Sequence, residues 1–343
     1  MKIDVYSHIV PRKYWDTLLS QIGNTTIHNL ASRTATGVER TSTLWDLEQR
    51  FRIMDKYEGL VQVLTPSGPP LELIASPGQA AELARLYDDT MAEVRDQYPD
   101  RFIAAVAYLP LNNIDAALKE CRRAIEKLGF KGVLIHTPIY ENDPAVTKPI
   151  DIPELMPLYE MMSEYDLPIW VHPRREFLTP DYTTERMSKY LIHQMFGWPY
   201  ETTVAMSRLV YSGVFEKYPN LKIITHHCGA MVPFFADRIT NQCEWYKVGL
   251  EAKFIDRLKR PPVEYFRKFY NDTAICGNTA ALMCGYEFFG AGNILFGTDM
   301  PYDAELGDKS TRDVIQAIEQ MKISKVDKQK IFEGNARKLL KLD

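Results

Sequence analysis

The sequence has 343 residues, of which 45% are hydrophobic and 25% charged, and its formal net charge at pH 7 is −4. Acidic and basic residues are interspersed, so no basic stripe indicates a nucleic-acid surface and no polybasic run indicates a membrane surface. No segment reaches the roughly 20 apolar residues of a membrane-spanning helix. The cysteines form no CxxC pair, which favours a reducing compartment, and we therefore predict a cytoplasmic protein.

Short β-rich segments alternate with longer helical segments along the chain. Strands are predicted at residues 3–6, 60–64, 102–108, 132–136, 168–172, 222–226, 269–273 and 293–296. Helices are predicted between them at residues 79–97, 114–128, 153–165, 202–217 and 309–321. This alternation predicts an α/β fold, a (β/α)8 TIM barrel formed by one domain over residues 1–343. A doubly wound open sheet is the competitor, but the glycine-rich phosphate turn expected after its first strand is missing.

Two segments interrupt the alternation. Residues 24–42 are polar and follow the first strand, whereas residues 173–199 are rich in aromatic side chains and follow the fifth strand. Loops that follow barrel strands lie on the catalytic face. We therefore predict inserted loops on that face, which would serve as a lid or as a dimer contact.

Imidazoles and a carboxylate stand where the predicted strands end. They are His8 after the first strand, His172 at the end of the fifth, His226 and His227 at the end of the sixth, and Asp299 after the eighth. The carboxyl ends of barrel strands converge on one rim, so these residues are expected to be neighbours. Imidazole and carboxylate groups are the ligands of zinc and similar divalent ions. The pattern predicts a metal-dependent active site.

The sequence resembles the branch of the amidohydrolase superfamily that contains aminocarboxymuconate-semialdehyde decarboxylase and the aromatic acid decarboxylases. The segments that carry the resemblance are IDVYSHIVP, WDLEQRFRIMDKYEGLVQVL, YPDRFIAAVAYLP, LPIWVHP, GWPYETTVAMSRLVYSGVFEKYPNLKI, HHCGAMVPFFADRI and FGTDMPYD. They extend over nearly the whole chain. They are specific for the branch and much less specific for a substrate.

The resemblance implies metal ligands at His8, His172 and Asp299, with one departure. The family has a histidine or an acidic residue where this chain has Tyr6. Three interpretations are open: Tyr6 binds the ion as a phenolate, the ion has three protein ligands with water and substrate, or the metal is absent and Tyr6 donates a hydrogen bond. We predict a divalent metal, with Zn²⁺ as the default and Mn²⁺ as the alternative.

His227 matches the catalytic histidine of the family by its spacing to the Pro-Phe pair that follows. Its neighbour His226 is expected to point the other way, toward the helices, because adjacent strand residues face opposite sides. The resemblance implies metal-dependent, non-oxidative decarboxylation of an aromatic or unsaturated carboxylic acid. His227 or Asp299 would deliver a proton to the carbon that carries the carboxylate.

Two other functions are open. The first is a hydrolase or hydratase that acts on a C–C bond or lactone of a related polycarboxylic ring-cleavage product, with His227 activating water. The second is a non-catalytic binding protein, since one ligand position is changed. The presence of the remaining site residues favours an enzyme.

Arg50, Arg174, Trp198 and Arg238 are the candidate substrate-binding residues. By resemblance, Arg50 binds a substrate carboxylate and Arg238 reaches the site of the neighbouring subunit of a homodimer, although a local ion pair of Arg238 is equally open. Arg174 would bind a second carboxylate or pair with a nearby acid, and Trp198 would stack on a planar ring. Together they predict a small acidic substrate, with no nucleic-acid or membrane partner.

Overall fold

The structure, a computed structural model, describes residues 1–21, 37–141, 143, 146–249 and 253–342. Residues 24–36 of the polar insertion lie outside the described residues. The strands are β1 (Lys2–Ile9), β2 (Leu60–Pro66), β3 (Phe102–Ala105), β4 (Ala107–Tyr108), β5 (Val133–Thr137), β6 (Ile139–Tyr140), β7 (Thr147–Lys148), β8 (Pro168–Pro173), β9 (Lys222–Thr225), β10 (Tyr270–Asp272) and β11 (Ile294–Leu295).

The helices cover these strands from outside. The longer ones are Leu47–Met54, Pro77–Gln97, Ile114–Glu126, Met156–Tyr165, Trp198–Tyr211, Ala236–Gly249, Thr279–Phe289 and Asp308–Gln320. Shorter ones are Leu71–Ile74, Val214–Lys217, Pro262–Phe266, Lys325–Gln329 and Asn335–Leu340. Gly213, with φ at 81°, separates two helices where the sequence predicted one over residues 202–217.

Parallel pairing joins the strands into a ring, except for β6 and β7, which form a separate antiparallel pair. β1, β2 and β3 pair in that order, and β4, β5, β8, β9, β10 and β11 pair in a second series. β3 and β4 follow each other with only Val106 between them, and the amide of Val106 donates to Leu64 O at 3.0 Å. The ring closes between β1 and the chain after β11, where Val5 N donates to Phe296 O at 2.9 Å. The predicted barrel is confirmed, and each predicted strand overlaps an observed one.

Apolar side chains fill the inside of the ring. Val63, Leu134, Trp170, Ile224 and Leu295 belong to one buried cluster there. Leu339 and Leu340 of the last helix join the same cluster and cover its lower end. Because the middle of the barrel is packed, a small molecule can reach the interior only at the carboxyl ends of the strands. Across the residues described, no helix combines the length and the apolar character needed to cross a membrane.

Candidate active site and metal centre

The side-chain alternation of the barrel strands brings imidazoles to the mouth of the barrel, which is the opening at the carboxyl ends of the strands. In β8, Trp170 packs inside the barrel and His172, two residues later, continues on the same face. In β9, Ile224 packs inside and His226 follows after the same interval. Alternation with a period of two therefore places both imidazoles at the carboxyl end of the interior. The rings of His172 and His226 have centroids 5.5 Å apart.

His8 and His172 are each held by a backbone carbonyl. His8 Nδ1 lies 3.0 Å from Pro66 O, and His172 Nδ1 lies 2.8 Å from Pro173 O. A carbonyl oxygen only accepts, so each Nδ1 must be the donor and each Nε2 carries the free lone pair. The two ring centroids are 5.3 Å apart. Both residues thus present a fixed Nε2 to the centre of the mouth, as metal-binding histidines do.

Asp299 completes the cluster from the segment after β11. Its Oδ1 lies 3.2 Å from His8 Nε2 and 3.3 Å from His226 Nε2. Its backbone is in the left-handed region with φ at 61°, which is uncommon for a non-glycine residue. The amide of Asp299 donates to Tyr6 O at 3.0 Å, which holds this conformation. Backbone strain of this kind is characteristic of functional sites.

The expectation that His226 faces the helices is wrong. Its Nδ1 hydrogen-bonds the carboxylate of Asp272, and its Nε2 is one of three imidazole ligand atoms, with those of His8 and His172, that lie within 4.8 Å of one another. Side chains do alternate along β9, but His227 lies beyond the end of this strand and therefore does not decide which side His226 faces. Ile224 faces inward, so His226 does too.

His227 reaches the mouth by a different route. It lies beyond the end of β9 with φ at 58°, so the strand alternation no longer applies to it. Its ring centroid is 3.8 Å from that of His226, and its ligand atom lies within 4.8 Å of those of His226 and Asp299. Burial lowers the pKa of His227 to about 4, and the charge of His226 acts in the same direction.

Tyr6 lies in the middle of the cluster. Its ring stacks on His226 with centroids 4.0 Å apart and an angle of 14° between the planes. Burial raises the pKa of its phenol well above 10, and the carboxylates of Asp272 and Asp299 raise it further. The pKa of His226 moves up as well: burial opposes its charge, but these two carboxylates outweigh burial and raise the pKa to about 10.

The buried polar atoms of the cluster fit a cation. Tyr6 Oη, His8 Nε2, His226 Nε2 and His227 Nδ1 are buried and have no hydrogen-bond partner among the described residues. Asp299 is close to two of them, but without the alignment of a hydrogen bond. Buried polar atoms normally have partners, and convergent imidazole nitrogens beside a carboxylate are a donor set for a divalent metal. The residues present therefore fit a metal ion.

The predicted role of Arg50 in substrate binding stays a prediction, and the structure gives its guanidinium a supporting role as well. Its side chain is fully buried between the helix Leu47–Met54 and the barrel. Nε donates to Gln62 Oε1 at 2.7 Å, and Nη1 donates to His8 O at 2.6 Å and to Thr43 O at 3.2 Å. Burial lowers its pKa to about 10, against the favourable charge of Asp4. Arg50 thus supports the backbone of His8 through Nη1, while its Nη2 is buried and has no hydrogen-bond partner among the described residues.

Trp198 lies beside His172 and Arg174 directly follows β8, while their roles in substrate binding stay predictions. The Trp198 ring is 5.7 Å from that of His172, nearly edge to face. Arg174 forms an ion pair with Glu176, and its Nη1 donates to Gly68 O at 3.3 Å. Burial lowers the pKa of His136 well below the usual value, and the positive charge of Arg174 lowers it further.

Arg238 is exposed on the helix Ala236–Gly249. Its predicted position in a neighbouring subunit's site stays a prediction.

Three further residues surround the cluster, and sequence reasoning gave none of them a role. His136 ends β5 with its ring 5.3 Å from that of His172. Tyr302 lies 5.4 Å from the His8 ring and hydrogen-bonds Ser67 through its hydroxyl. Asp272 ends β10 inside the barrel. A polar residue at the end of a strand was the available signal for His136 and Asp272.

Comparison with known proteins agrees with this geometry. A family model described as Amidohydrolase matches residues 3–342. The gamma-resorcylate decarboxylase of Polaromonas sp. (strain JS666 / ATCC BAA-500) is 32% identical over 307 residues, which are 89% of this chain and 90% of the relative. The 2-amino-3-carboxymuconate-6-semialdehyde decarboxylase of Dictyostelium discoideum is 28% identical over 356 residues, covering 100% of this chain and 92% of the relative.

A solved structure shows the same architecture. It is the dihydroxybenzoic acid decarboxylase of Polaromonas sp. JS666 with bound manganese and the inhibitor 2-nitroresorcinol. Its TM-score is 0.79 at 29% identity, and the match covers 99% of this chain and 97% of that chain. Because the family model matches almost every residue, this chain belongs to the amidohydrolase family.

Proposed function

We propose that this protein is a divalent-metal-dependent, non-oxidative decarboxylase of an aromatic carboxylic acid of the hydroxybenzoate type. The observation that carries the proposal is the convergence of His8 Nε2, the His172 imidazole and the Asp299 carboxylate at the barrel mouth. Relatives that match along most of this chain are decarboxylases of such acids, which supports the same reaction class here.

His8, His172 and Asp299 would hold the metal, and the relative with bound manganese favours Mn²⁺ beside the Zn²⁺ expected from the imidazoles. When bound, the ion supplies positive charge that attracts and orients an anionic substrate. The fixed Nδ1 bonds of the two histidines keep the ligand atoms in place before the ion arrives.

The walls of the mouth suit a planar acid. The Trp198 indole lies beside His172 and offers an aromatic face or edge to a ring. Arg174 contributes positive charge, although Glu176 already pairs with its Nε. Tyr302 is beside His8, and its hydroxyl is in a position to contact a polar ring substituent. These side chains would orient the substrate and exclude water.

We assign the proton transfer to His227 and Asp299. They are side by side, and His227 Nδ1 has no partner among the described residues. The pair would take up a proton from solvent and pass it to the ring carbon that bears the carboxylate. The bond from that carbon to the carboxylate then breaks, its electron pair restores the aromatic ring, and carbon dioxide leaves. Positioned proton transfer is worth roughly 10²- to 10⁴-fold in rate.

The test is release of carbon dioxide from a panel of hydroxybenzoates and unsaturated dicarboxylic semialdehydes by the metal-loaded enzyme. We expect stoichiometric carbon dioxide and the decarboxylated ring from at least one hydroxybenzoate. Conversion of a panel acid without release of carbon dioxide would replace this proposal by the hydrolase or hydratase alternative. Ligand binding without any turnover would replace it by the binding-protein alternative.

We further propose that residues 1–343 act as one catalytic domain in a cytoplasmic homodimer. All five cysteines are free, in keeping with a reducing compartment. Exposed aromatic side chains on two segments beside the mouth, among them Tyr190, Phe234 and Trp245, suit a subunit interface near Arg238. Light scattering of the purified protein tests the dimer: a monomer mass at micromolar concentration would contradict it.

A further inference from the structure

Three imidazoles at the mouth, those of His8, His172 and His226, have converging ligand atoms, although the family resemblance accounts for only two of them as ligands. His226 is fully buried, and its Nε2 has no hydrogen-bond partner in the described part of the chain. The ligand atoms of His8, His172 and His226 lie within 4.8 Å of one another. His226 Nε2 is also as close to Asp299 Oδ1, at 3.3 Å, as His8 Nε2 is at 3.2 Å.

His226 is oriented by a fixed carboxylate. Its Nδ1 hydrogen-bonds Asp272, and Asp272 Oδ1 in turn accepts the amide of Ala274 at 2.9 Å and that of Cys228 at 3.3 Å. Asp272 is therefore held from two further sides. A histidine that is bonded through one nitrogen to such a carboxylate presents the other nitrogen as a well-aligned and more basic metal ligand.

Neither neighbour of His226 has this support. His227 Nδ1 has no partner among the described residues, so no hydrogen bond through that atom fixes its ring. Tyr6 stacks flat on His226, and its hydroxyl has no described partner. The stack buries one face of the imidazole and restricts its rotation, which is a packing role for the tyrosine ring that requires no bond from its oxygen.

We propose that His226 is a protein ligand of the divalent metal, and that it supplies the donor that Tyr6 does not. The ion would then be held by His8, His172, His226 and Asp299, with Asp272 aligning His226 from behind and Tyr6 packing on its face. This inference rests on the proposed function only in requiring a metal at the mouth, and it makes no use of the reaction.

The test compares Zn²⁺ affinity of the whole protein and its variants by competition with a chromophoric chelator. His226→Asn is expected to lower the affinity by more than the 10- to 100-fold that loss of a supporting partner costs, and Asp272→Asn by about that amount. Tyr6→Phe, which keeps the ring and removes the oxygen, and His227→Asn serve as matched controls and are expected to keep the wild-type affinity. Circular dichroism of each metal-free variant separates loss of a ligand from loss of the fold.

X-ray absorption of the Zn²⁺-loaded proteins gives a second, independent measurement. The wild type and Tyr6→Phe should show three imidazoles on the ion. If His226→Asn fails to fold, Asp272→Asn still tests the inference, because it keeps His226 and removes only the carboxylate that aligns it. Two imidazoles in the wild type, or metal loss in Tyr6→Phe but not in His226→Asn, would overturn the inference. Full Zn²⁺ affinity in His226→Asn would overturn it too. A wild type that binds no metal would instead contradict the proposed function.

Discussion

Replacement of Arg50 by methionine distinguishes a role of this residue in supporting the fold from a role in binding the substrate. Arg50→Met keeps a long side chain but removes the guanidinium that donates to Gln62, His8 and Thr43. Each buried acceptor left without a donor costs about 1–3 kcal/mol, while removal of a buried charge returns part of that. We therefore expect a loss of stability on the order of 3–5 kcal/mol, which is large against the roughly 5–15 kcal/mol of a typical domain.

The assay is urea unfolding of the metal-free protein, followed by steady-state kinetics on an active substrate. Arg52→Met is the matched control, because Arg52 is on the same helix with its side chain 75% exposed beside Glu48, and surface changes of this kind are usually within about 0.5 kcal/mol. Substrate affinity should fall only to the extent that loss of the Arg50 hydrogen bond displaces the backbone of His8. Unchanged stability of Arg50→Met together with a strongly raised KM would refute the supporting role.

Three further changes test the site and its surroundings. His227→Asn is expected to retain its metal and its fold but to lose about 10²- to 10⁴-fold in kcat, as measured by carbon dioxide release; unchanged kcat would remove His227 from the proton transfer. Burial raises the pKa of Glu72 to about 7 against the charge of Arg174, so the neutral form stabilises the fold below pH 4.5 and that contribution is lost as pH rises to 7. Glu72→Gln should therefore gain on the order of 3 kcal/mol relative to wild type in urea unfolding between pH 4.5 and pH 8, and an equal difference at both pH values would contradict this. Gly297→Ala places a methyl group 2.9 Å from Asp272 Cβ and 3.1 Å from Tyr6 Cβ, so a lower melting temperature, equivalent to about 1–3 kcal/mol, and weaker Zn²⁺ binding are expected; wild-type values for both would show that the strands can separate there.

The barrel and the convergence of His8, His172 and Asp299 could be predicted because both follow from the order of strands and helices. The direction of a single side chain depends on finer detail. His226 and His227 are neighbours at a strand end, and their directions depend on Ile224 facing inward and on the left-handed turn at His227. A shift of one residue in the assumed phase exchanges them.

The burial of Arg50 can be predicted from the pattern of its own helix. Arg50 shares a helix face with Ile53 and Met54, and all three are buried. Apolar residues three and four positions after an arginine place it on the core side of the helix. This helical pattern predicts the burial of Arg50, but it does not show where the unpartnered Nη2 points, so the substrate-binding role implied by the resemblance stays a prediction.

The first strand carries the feature that sequence periodicity could not reveal. Ile3 and Val5 face the barrel interior, and an unbroken strand would then turn Tyr6 and His8 toward the helices. The pairing of β1 with β2 shifts by one residue between Asp4 and Ser7, which is a β-bulge. A bulge inserts one residue and re-aims the side chains beyond it, so Tyr6 and His8 also face inward.

Asp4 fixes this bulge to the other half of the site. Its buried carboxylate accepts the amide of Tyr6 at 3.1 Å, the amide of Thr298 at 3.0 Å and the hydroxyl of Thr298 at 2.6 Å. One carboxylate thereby joins the strand that carries His8 to the segment that carries Asp299. The two proposed ligands are separated by nearly the whole sequence, yet their backbones are connected through the buried side chain of Asp4. The geometry of the metal site is thus set by the closure of the barrel, and the identity of the ligands alone does not determine it.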